Sequence, residues 1–492
     1  MVSIRKLHSY KSADLLSLIL ACFTVVVALV FFRERLYADA AYYFFHAVNA
    51  ESFHVEHGRL VLAISQLIPL GGLYIGLELK ELAVLASLGN ALFYILLALF
   101  IRFRYSNNYL ALGALLIPVV NQHFLHFSPM MEITYGSALL MLYYVLLTNG
   151  ESGIQRMVLL TLCVVLILTS HPEHFISVAV LAPSVRKTDK NWLPVAVWIA
   201  FIITVIFVVK ISTFSEYEAG KVSAYTDHNH HFSQLWNPGY LKELVLMLLS
   251  EYTFAILAFL LCTAYFLKRK EYLRAIQIFA GVVAVIVLVN SAKEATSYTR
   301  YIQSMYSPFV AIVLVLLLAE VIPRLDQRQK FLLLLAIAAC ALYEGYRVWE
   351  FGEDLGRRTK MHEVIMKKAS AEEGQKFYID KDDWQPDFYW FGWSSPMELL
   401  ILSSFDGPNE TMSILEREDL EYNQNFEHLD DGKFVLRRFE IEKHEFLNSR
   451  FFNLPKGPYH HLGGEQKLLQ INTSKRGCNE QCSTWLLLHP SN

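Results

Sequence analysis

Charge is the first thing this sequence is short of. Only 18% of its 492 residues are Asp, Glu, Lys or Arg, where a soluble enzyme of this size carries about a quarter. Too little charge and too much apolar content rule out a disordered chain, a coiled coil and a single soluble globular domain. No long basic tract occurs and the isoelectric point is near neutral, so nothing points to nucleic acid. No repeat of 20–50 residues and no low-complexity stretch is visible, which removes solenoids and arrays. Cysteine is also sparse, with six in all. Cys22, Cys163, Cys262 and Cys340 stand alone in apolar runs, where they read as small core hydrophobes. Cys478 and Cys482 are spaced for a short disulfide or for two free thiols; a zinc site would need further ligands nearby.

What is abundant is apolar surface, and it is unevenly spread. Hydrophobic residues make up 54% of the chain and the mean hydropathy is +0.33. Residues 350–492 hold 17 Lys/Arg against 25 Asp/Glu, a net charge of −8. Residues 1–349 hold 26 against 21, a net of +5 over a stretch more than twice as long. The expected organisation is a transmembrane domain over 1–349 and a soluble domain over 350–492.

The first apolar run, residues 15–32, follows Arg5, Lys6 and Lys11 and continues into Arg33-Glu34-Arg35 without a small-residue cleavage site. It reads as a retained span with a cytoplasmic N-terminus. Further apolar runs lie at 81–101, 109–128, 134–149, 157–171, 173–184, 192–212, 241–267, 275–292, 305–322 and 329–347. Those at 134–149, 157–171 and 173–184 are short for a crossing of the bilayer. Residues 60–70 are too short to cross and end at Pro69 and Gly71-Gly72, so they are expected as a juxtamembrane or re-entrant helix on the outer side. With 60–70 left out, every short inside loop is basic: Arg102 and Arg104, Arg156, Arg186 to Lys190, Lys268 to Arg274, and Arg324 to Lys330. That is the positive-inside pattern. It gives eleven spans, a cytoplasmic N-terminus and an exported C-terminal domain, in an inner or plasma membrane. The tail, with Trp384, Trp390, Trp393 and short alternating runs at 376–380 and 433–440, is expected to be a small α/β or mostly β domain. Export would favour a Cys478–Cys482 disulfide.

Ionisable residues near membrane depth are costly and mark function. On this topology they gather at outer loops: Asp39; His54, Glu56, His57 and Arg59; His123, His126 and Glu132; His171, Glu173 and His174; Asp227 to His231; and Lys293, Glu294, Arg300 and Tyr301. Each has a plainer reading. Asp39 could cap a helix or pair with Arg33 or Arg35. Glu132 could be a first-turn carboxylate favoured by the helix dipole. His171 and His174 have the spacing of two metal ligands, or of polar packing. Arg300 between tyrosines could anchor at the interface or meet a lipid-linked phosphate.

The order of these features resembles the GT-C class of polytopic glycosyltransferases, in particular the protein-mannosyltransferase and aminoarabinose-transferase type. The similarity runs over about residues 10–185: a first span, Asp39 at the acidic position, and His57-Gly-Arg-Leu60 where that class has a His-Pro-Pro-Leu-like stretch. A span ending in Arg102 and Arg104 follows, then Ser128-Pro-Met-Met-Glu132-Ile-Thr-Tyr135, then Ser170-His171-Pro-Glu-His-Phe175. The prolines after His57, a second acid beside Asp39 and an arginine after Glu132 are missing, and the tail has no counterpart. The resemblance implies an all-α membrane bundle of about eleven transmembrane helices plus a juxtamembrane helix. It implies transfer of a sugar from a polyprenyl-phosphate donor to a glycan, lipid or protein acceptor at the outer face. Asp39 and Glu132 would be catalytic, and His57, Arg59, Arg300 and Tyr301 would hold the donor phosphate. A divalent metal at His171 and His174 is the one cofactor expected. The alternatives are a transporter or lipid flippase and an O-antigen polymerase or ligase; a transporter should show broken helices and internal repeats.

Overall fold

The structure is a computed structural model that describes residues 4–121, 123–149, 153–187, 192–213, 235–291, 304–380, 392–422, 432–438 and 440–463. The chain divides into two compact units, one taking the described residues up to Gly356 and the other those from Arg357. It is mostly helical, with a small sheet region near its C-terminus.

The helices of the first unit are α1 (Ile4–Val30), α2 (Asp39–Asn49), α3 (Leu62–Tyr74), α4 (Leu79–Tyr105), α5 (Asn108–Val120), α6 (Glu132–Thr148), α7 (Ile154–Ser170), α8 (His174–Leu181), α9 (Trp192–Ser212), α10 (Pro238–Glu251), α11 (Thr253–Lys268), α12 (Tyr272–Ser291), α13 (Ser307–Leu316) and α14 (Gln327–Ala369), whose last turns belong to the second unit. Their ends follow local chemistry. Glu78 and Glu81 form a capping box at the start of α4, satisfying amides the first turn leaves open. Ser106 at φ 53° closes that helix in the left-handed region, and the Asn107 side chain accepts from Leu110 N at 3.0 Å to open α5.

Among the described residues six helical segments are long and apolar enough to cross a membrane: Ser12–Val30, Leu79–Tyr105, Trp192–Ser212, Tyr272–Asn290, Ser307–Arg324 and Gln327–Ala369. The pair α10–α11 makes a seventh if its 96° bend is counted inside one span. The helices α3, α5, α6, α7 and the stretch His174–Ser184 are apolar but shorter. A 13-residue helix such as α5 rises only about 20 Å, against a hydrocarbon layer of about 30 Å. The 109–128 run therefore does not form one straight helix; it stops at Val120 and resumes as a single turn, His123–His126. In α9 only Val195, Ile199 and Ile202 are buried, while Val197, Phe201 and Val208 lie open on other faces. A helix that is apolar all round fits a lipid environment. By contrast, every residue of α13 is buried. It sits at the centre of the unit and continues through a π turn, Leu317–Val321, to Arg324.

The helices alternate in direction. Asn121, just past the end of α5, donates to Ser307 at the start of α13 (2.9 Å), and Ser307 hydrogen-bonds Ser137 near the start of α6 (2.8 Å). So α5 runs opposite to α6 and α13. At the far end of α6, Tyr144 donates to Glu320 at the end of the α13 segment, and Arg156 donates to the carbonyls of Leu146 and Leu147. One end of the unit thus carries the arginine-rich turns and the other carries Glu132.

In the second unit, parallel strands β1 (Lys376–Ile379), β2 (Ser413–Glu416) and β5 (His460–His461) form a sheet in the order β2-β1-β5, and β3 (Lys433–Arg437) pairs antiparallel with β4 (Glu440–Lys443). Helix α15 (Ser395–Ser403) lies between β1 and β2 in sequence, as a parallel connection requires. Met361, Ile365, Phe377, Ile379, Leu399 and Ile414 form its core. The buried Arg358 donates to Glu398 (2.5 Å) and Ser395 (2.8 Å), so its charge is matched where water is excluded.

Candidate functional site

The charged groups of the first unit's non-basic end converge on α2. Ala38, at φ 54°, occupies the N-cap position, and Asp39 begins the helix. Residues Ala40 to Asn49 are all buried, so α2 is enclosed on every side. Tyr42 and His46 lie one turn apart on one face, with ring centroids 4.4 Å apart. His46 stacks on His54 at 4.4 Å with only 15° between the planes.

The loop after α2 is pinned by its backbone. His54 N donates to the Gln66 side-chain oxygen (2.7 Å), and the Gln66 amide donates back to the His54 carbonyl (2.8 Å). Gln66 is fully buried on α3, so this exchange fixes the loop to that helix. Glu56 then collects three partners: the Tyr42 hydroxyl donates to it, His54 Nε2 lies 3.2 Å away and His57 Nε2 lies 3.7 Å away. Burial would raise the Glu56 carboxyl, but the hydrogen bonds from His54 and Tyr42 and the charges of His54 and His57 bring it down to about 2.

Two consecutive left-handed residues, His57 (φ 53°) and Gly58 (φ 62°), reverse the chain. Glycine adopts this conformation without strain; histidine does so at a cost of order 1 kcal/mol, which is tolerated where surrounding contacts enforce it. The reversal is closed by Arg59 N donating to Glu56 O at 2.9 Å. It delivers the Arg59 guanidinium to Glu132, to which it donates. Glu132 is buried at the first position of α6, where the helix dipole also favours a carboxylate.

Tyr43 stands in the middle. Burial pushes its phenol well above the usual range, the negative charges of Glu132, Asp39 and Glu56 push it further, and Arg59 opposes them. Asp39 and Glu132 are more than ninety residues apart in sequence yet act on one phenol. Three carboxylates, a guanidinium and two imidazoles therefore surround a single buried aromatic cluster.

The other expected site residues fall elsewhere. Arg35 is fully buried and donates to the His126 carbonyl (2.7 Å) and the Asn90 side chain (2.6 Å); it ties α1 to α4. His123 joins Glu251 (3.2 Å), which also holds Arg347 (3.2 Å) at the bend between α10 and α11. His171 lies 3.6 Å from Glu173. His174 directs Nε2 toward Ser137 and Nδ1 toward Ser170, each at 3.2 Å. Gly136 makes room for this contact, since a Cβ there would come within 2.8 Å of the imidazole and 2.1 Å of the Ser170 hydroxyl. Both imidazole nitrogens thus link α6, α7 and α8 through hydroxyls. Among the described residues no group of three or more His, Cys, Asp or Glu is arranged to hold a metal. The Glu56 and Glu132 carboxylates are engaged by tyrosine, histidine and arginine. These side chains do not form a metal donor set as they stand. Arg300, Tyr301, the Asp227–His231 stretch, Trp384, Trp390, Cys478 and Cys482 lie outside the described residues.

Sequence reasoning placed His54 and Glu56 among the outer-loop ionisable groups without a specific role, and gave none to Tyr42, Tyr43, His46 or Gln66. The His54-Val-Glu56-His57-Gly-Arg59 run was the available signal: three ionisable residues ahead of a glycine and an arginine, in a loop short enough for all of them to meet.

No family model, curated protein or solved structure matches the chain. The fold and the site define a helical protein whose long apolar helices fit a multi-pass membrane protein, with a buried acid–base cluster at the end opposite its basic turns.

Proposed function

We propose that the protein is an integral membrane glycosyltransferase. It moves a sugar from a polyprenyl-phosphate donor to a hydroxyl of a glycan, lipid or protein acceptor at the outer face. The observation that carries this reading is the Arg59–Glu132 pair and the Glu56–Tyr42–His54–His57 cluster, joined through one short loop that follows the helix Asp39 opens. Glycosyl transfer asks for a carboxylate to take the acceptor proton and for a cation to meet the departing phosphate. In this reading Asp39 takes the proton as the acceptor oxygen bonds to the anomeric carbon. The bond from that carbon to the phosphate oxygen breaks, and the phosphate leaves with the electron pair on its lipid. Arg59 and His57 face that charge, with Arg300 and Tyr301 as further phosphate ligands. Glu132 holds Arg59, and Glu56 holds His57.

The eleven-span topology belongs to the same reading, with α5, α6, α7 and α8 completing the bundle as short helices packed among long ones. It puts the acid–base cluster at the outer face and the second unit outside the cytoplasm. A transporter is the second reading, and the 96° break beside the buried Glu251 favours it, because broken helices build transport sites.

The test is Asp39→Asn, assayed in membranes with a polyprenyl-phosphate sugar. The change keeps size and hydrogen-bonding capacity and removes the basicity; the N-cap position is Ala38, so no helix cap is lost. Transfer should fall by roughly 10²–10⁴ at normal expression. Full transfer by Asp39→Asn would remove Asp39 from the chemistry. Absence of transfer by the wild type over a panel of lipid-linked sugars would remove the glycosyltransferase reading.

A further inference from the structure

The opposite end of the first unit carries a surface that the transfer reaction does not use. The turn between α11 and α12 presents Lys268, Arg269 and Lys270 in succession, all exposed. Its backbone is held firmly: Arg269 N donates to Tyr265 O (3.0 Å), Lys270 N to Leu267 O (3.0 Å) and Glu271 N to Phe266 O (2.9 Å), with Lys270 at φ +60°. The turn leading into α14 lies beside it. Arg324 bridges the two, donating to both carboxylate oxygens of Glu271 at 2.9 and 3.1 Å. Beneath the bridge, Glu320 is buried and takes Arg324 and, at 3.5 Å, Arg274. Glu271 and Glu320 are therefore matched by Arg324 and Arg274, while Asp326 on the same turn accepts from Gln329 N at 2.9 Å and offsets one of the exposed cations. Lys268, Arg269, Lys270 and Arg328 remain as exposed surplus cations.

What surrounds these cations is as informative as the charge. Leu273 is 82% exposed and Tyr272 57%, at the very start of α12. Phe331 is 56% exposed on the first turn and a half of α14. Cations thus stand directly above a rim of uncovered aliphatic and aromatic side chains, on helices long and apolar enough to cross a membrane. A free phosphate or a soluble polyanion would meet the charge and leave that rim in water. A phospholipid meets both, with its headgroup on the lysines and arginines and its acyl chains along the apolar rim.

We propose that the joined α11–α12 and pre-α14 turns form a docking surface for anionic phospholipid headgroups. The bridge from Arg324 to Glu271 fixes the spacing between the two cation groups, so the surface is preformed rather than assembled on binding. Each surplus cation should contribute about fivefold to the preference for an anionic over a zwitterionic headgroup. That contribution should weaken as salt shortens the screening length from about 10 Å at 0.1 M to about 3 Å at 1 M.

The full chain is reconstituted into nanodiscs of mixed phosphatidylcholine and phosphatidylglycerol, and the lipid retained on gentle release is counted by mass spectrometry. Wild type should retain phosphatidylglycerol in excess of its share. The variant carrying Lys268→Gln, Arg269→Gln and Lys270→Gln should lose most of that excess, and 1 M salt should do the same to the wild type. Retention matching the bulk mixture would overturn the proposal, as would a triple variant indistinguishable from wild type. Loss of the excess to millimolar inorganic phosphate, but not to sodium chloride of equal ionic strength, would assign the surface to free phosphate and overturn the lipid assignment. Should the variant fail to fold, the salt and phosphate titrations of the wild type decide the matter alone.

Discussion

The Arg59–Glu132 pair offers the sharpest test of how the site is built. Side-chain exposure is 15% for Arg59 and 6% for Glu132, so each variant that removes one partner leaves the other charge largely out of water. Breaking a buried pair in this way costs about 3–5 kcal/mol, whereas an exposed pair is worth about 0–1 kcal/mol. Arg59 keeps some access to water, so the low end applies, about 3 kcal/mol for Arg59→Gln or Glu132→Gln alone. The double variant Arg59→Gln/Glu132→Gln replaces both charges with amides able to hydrogen-bond each other and should recover much of that loss. With about 3 kcal/mol lost in each single variant and less than that in the double, the cycle should give a coupling of more than about 3 kcal/mol, where independent sites add to within about 0.5 kcal/mol. The assay is thermal unfolding of the detergent-solubilised protein. About 2–4 °C per kcal/mol holds for chains of 150–250 residues, so a chain of 492 residues should lose roughly 3–6 °C in each single variant and clearly less in the double. Two single variants within a degree of wild type, with an additive double, would refute the argument that loop 51–61 is fastened to α6 by this pair.

Glu56 supplies a pH dependence. Its folded value of about 2 lies below the ordinary 4.5, so its contribution to stability is fully present above about pH 4.5 and is lost as pH falls toward 2. Unfolding curves of wild type and Glu56→Gln should therefore converge between pH 4.5 and 2; a constant gap across that window would contradict the assignment. Topology can be checked separately. A reporter active only in the cytoplasm, fused after Asn492, should be silent, and activity there would reverse the assignment of the acid–base cluster to the outer face.

Long-range order was legible where it depended on composition. The apolar runs appear as helices, and 60–70, too short to cross, holds the short helix Leu62–Tyr74; that helix runs through Pro69, Gly71 and Gly72 instead of stopping at them. The alternating run at 376–380 holds β1. What could not be read depends on the backbone or on partners distant in sequence. The meeting of Arg59 with Glu132 follows from two left-handed residues in succession, and nothing in a histidine codon's neighbours announces a positive φ. Arg35, next to Glu34 and close to Asp39, looks like a local ion-pair partner; it instead turns inward to Asn90 and the His126 carbonyl, 55 and 91 positions away. The break at Tyr252 did leave a trace, because Ser250, Glu251 and Thr253 interrupt the otherwise apolar middle of 241–267 at that point. Parallel pairing in the tail was hidden too, because alternation marks a strand without naming its neighbour.

The short helices give the site its depth. Helix α6 has 17 residues and rises about 25 Å. Its far end is marked by Arg156, which caps the carbonyls of Leu146 and Leu147. If that end stands at the basic water boundary, Glu132 stops about 5 Å short of the opposite side of a 30 Å hydrocarbon layer. A carboxylate sunk in this way needs a cation brought down to it, and the loop from His54 to Arg59 reaches inward to supply one. The hydroxyls of Ser137, Ser170 and Ser307 and the imidazole of His174 hold the neighbouring helix ends at the same depth. In the proposed transferase, the same shortness that makes α6 a poor span in sequence terms would place a charged group below the surface, in low dielectric, where its electrostatic influence on a reacting group is strongest.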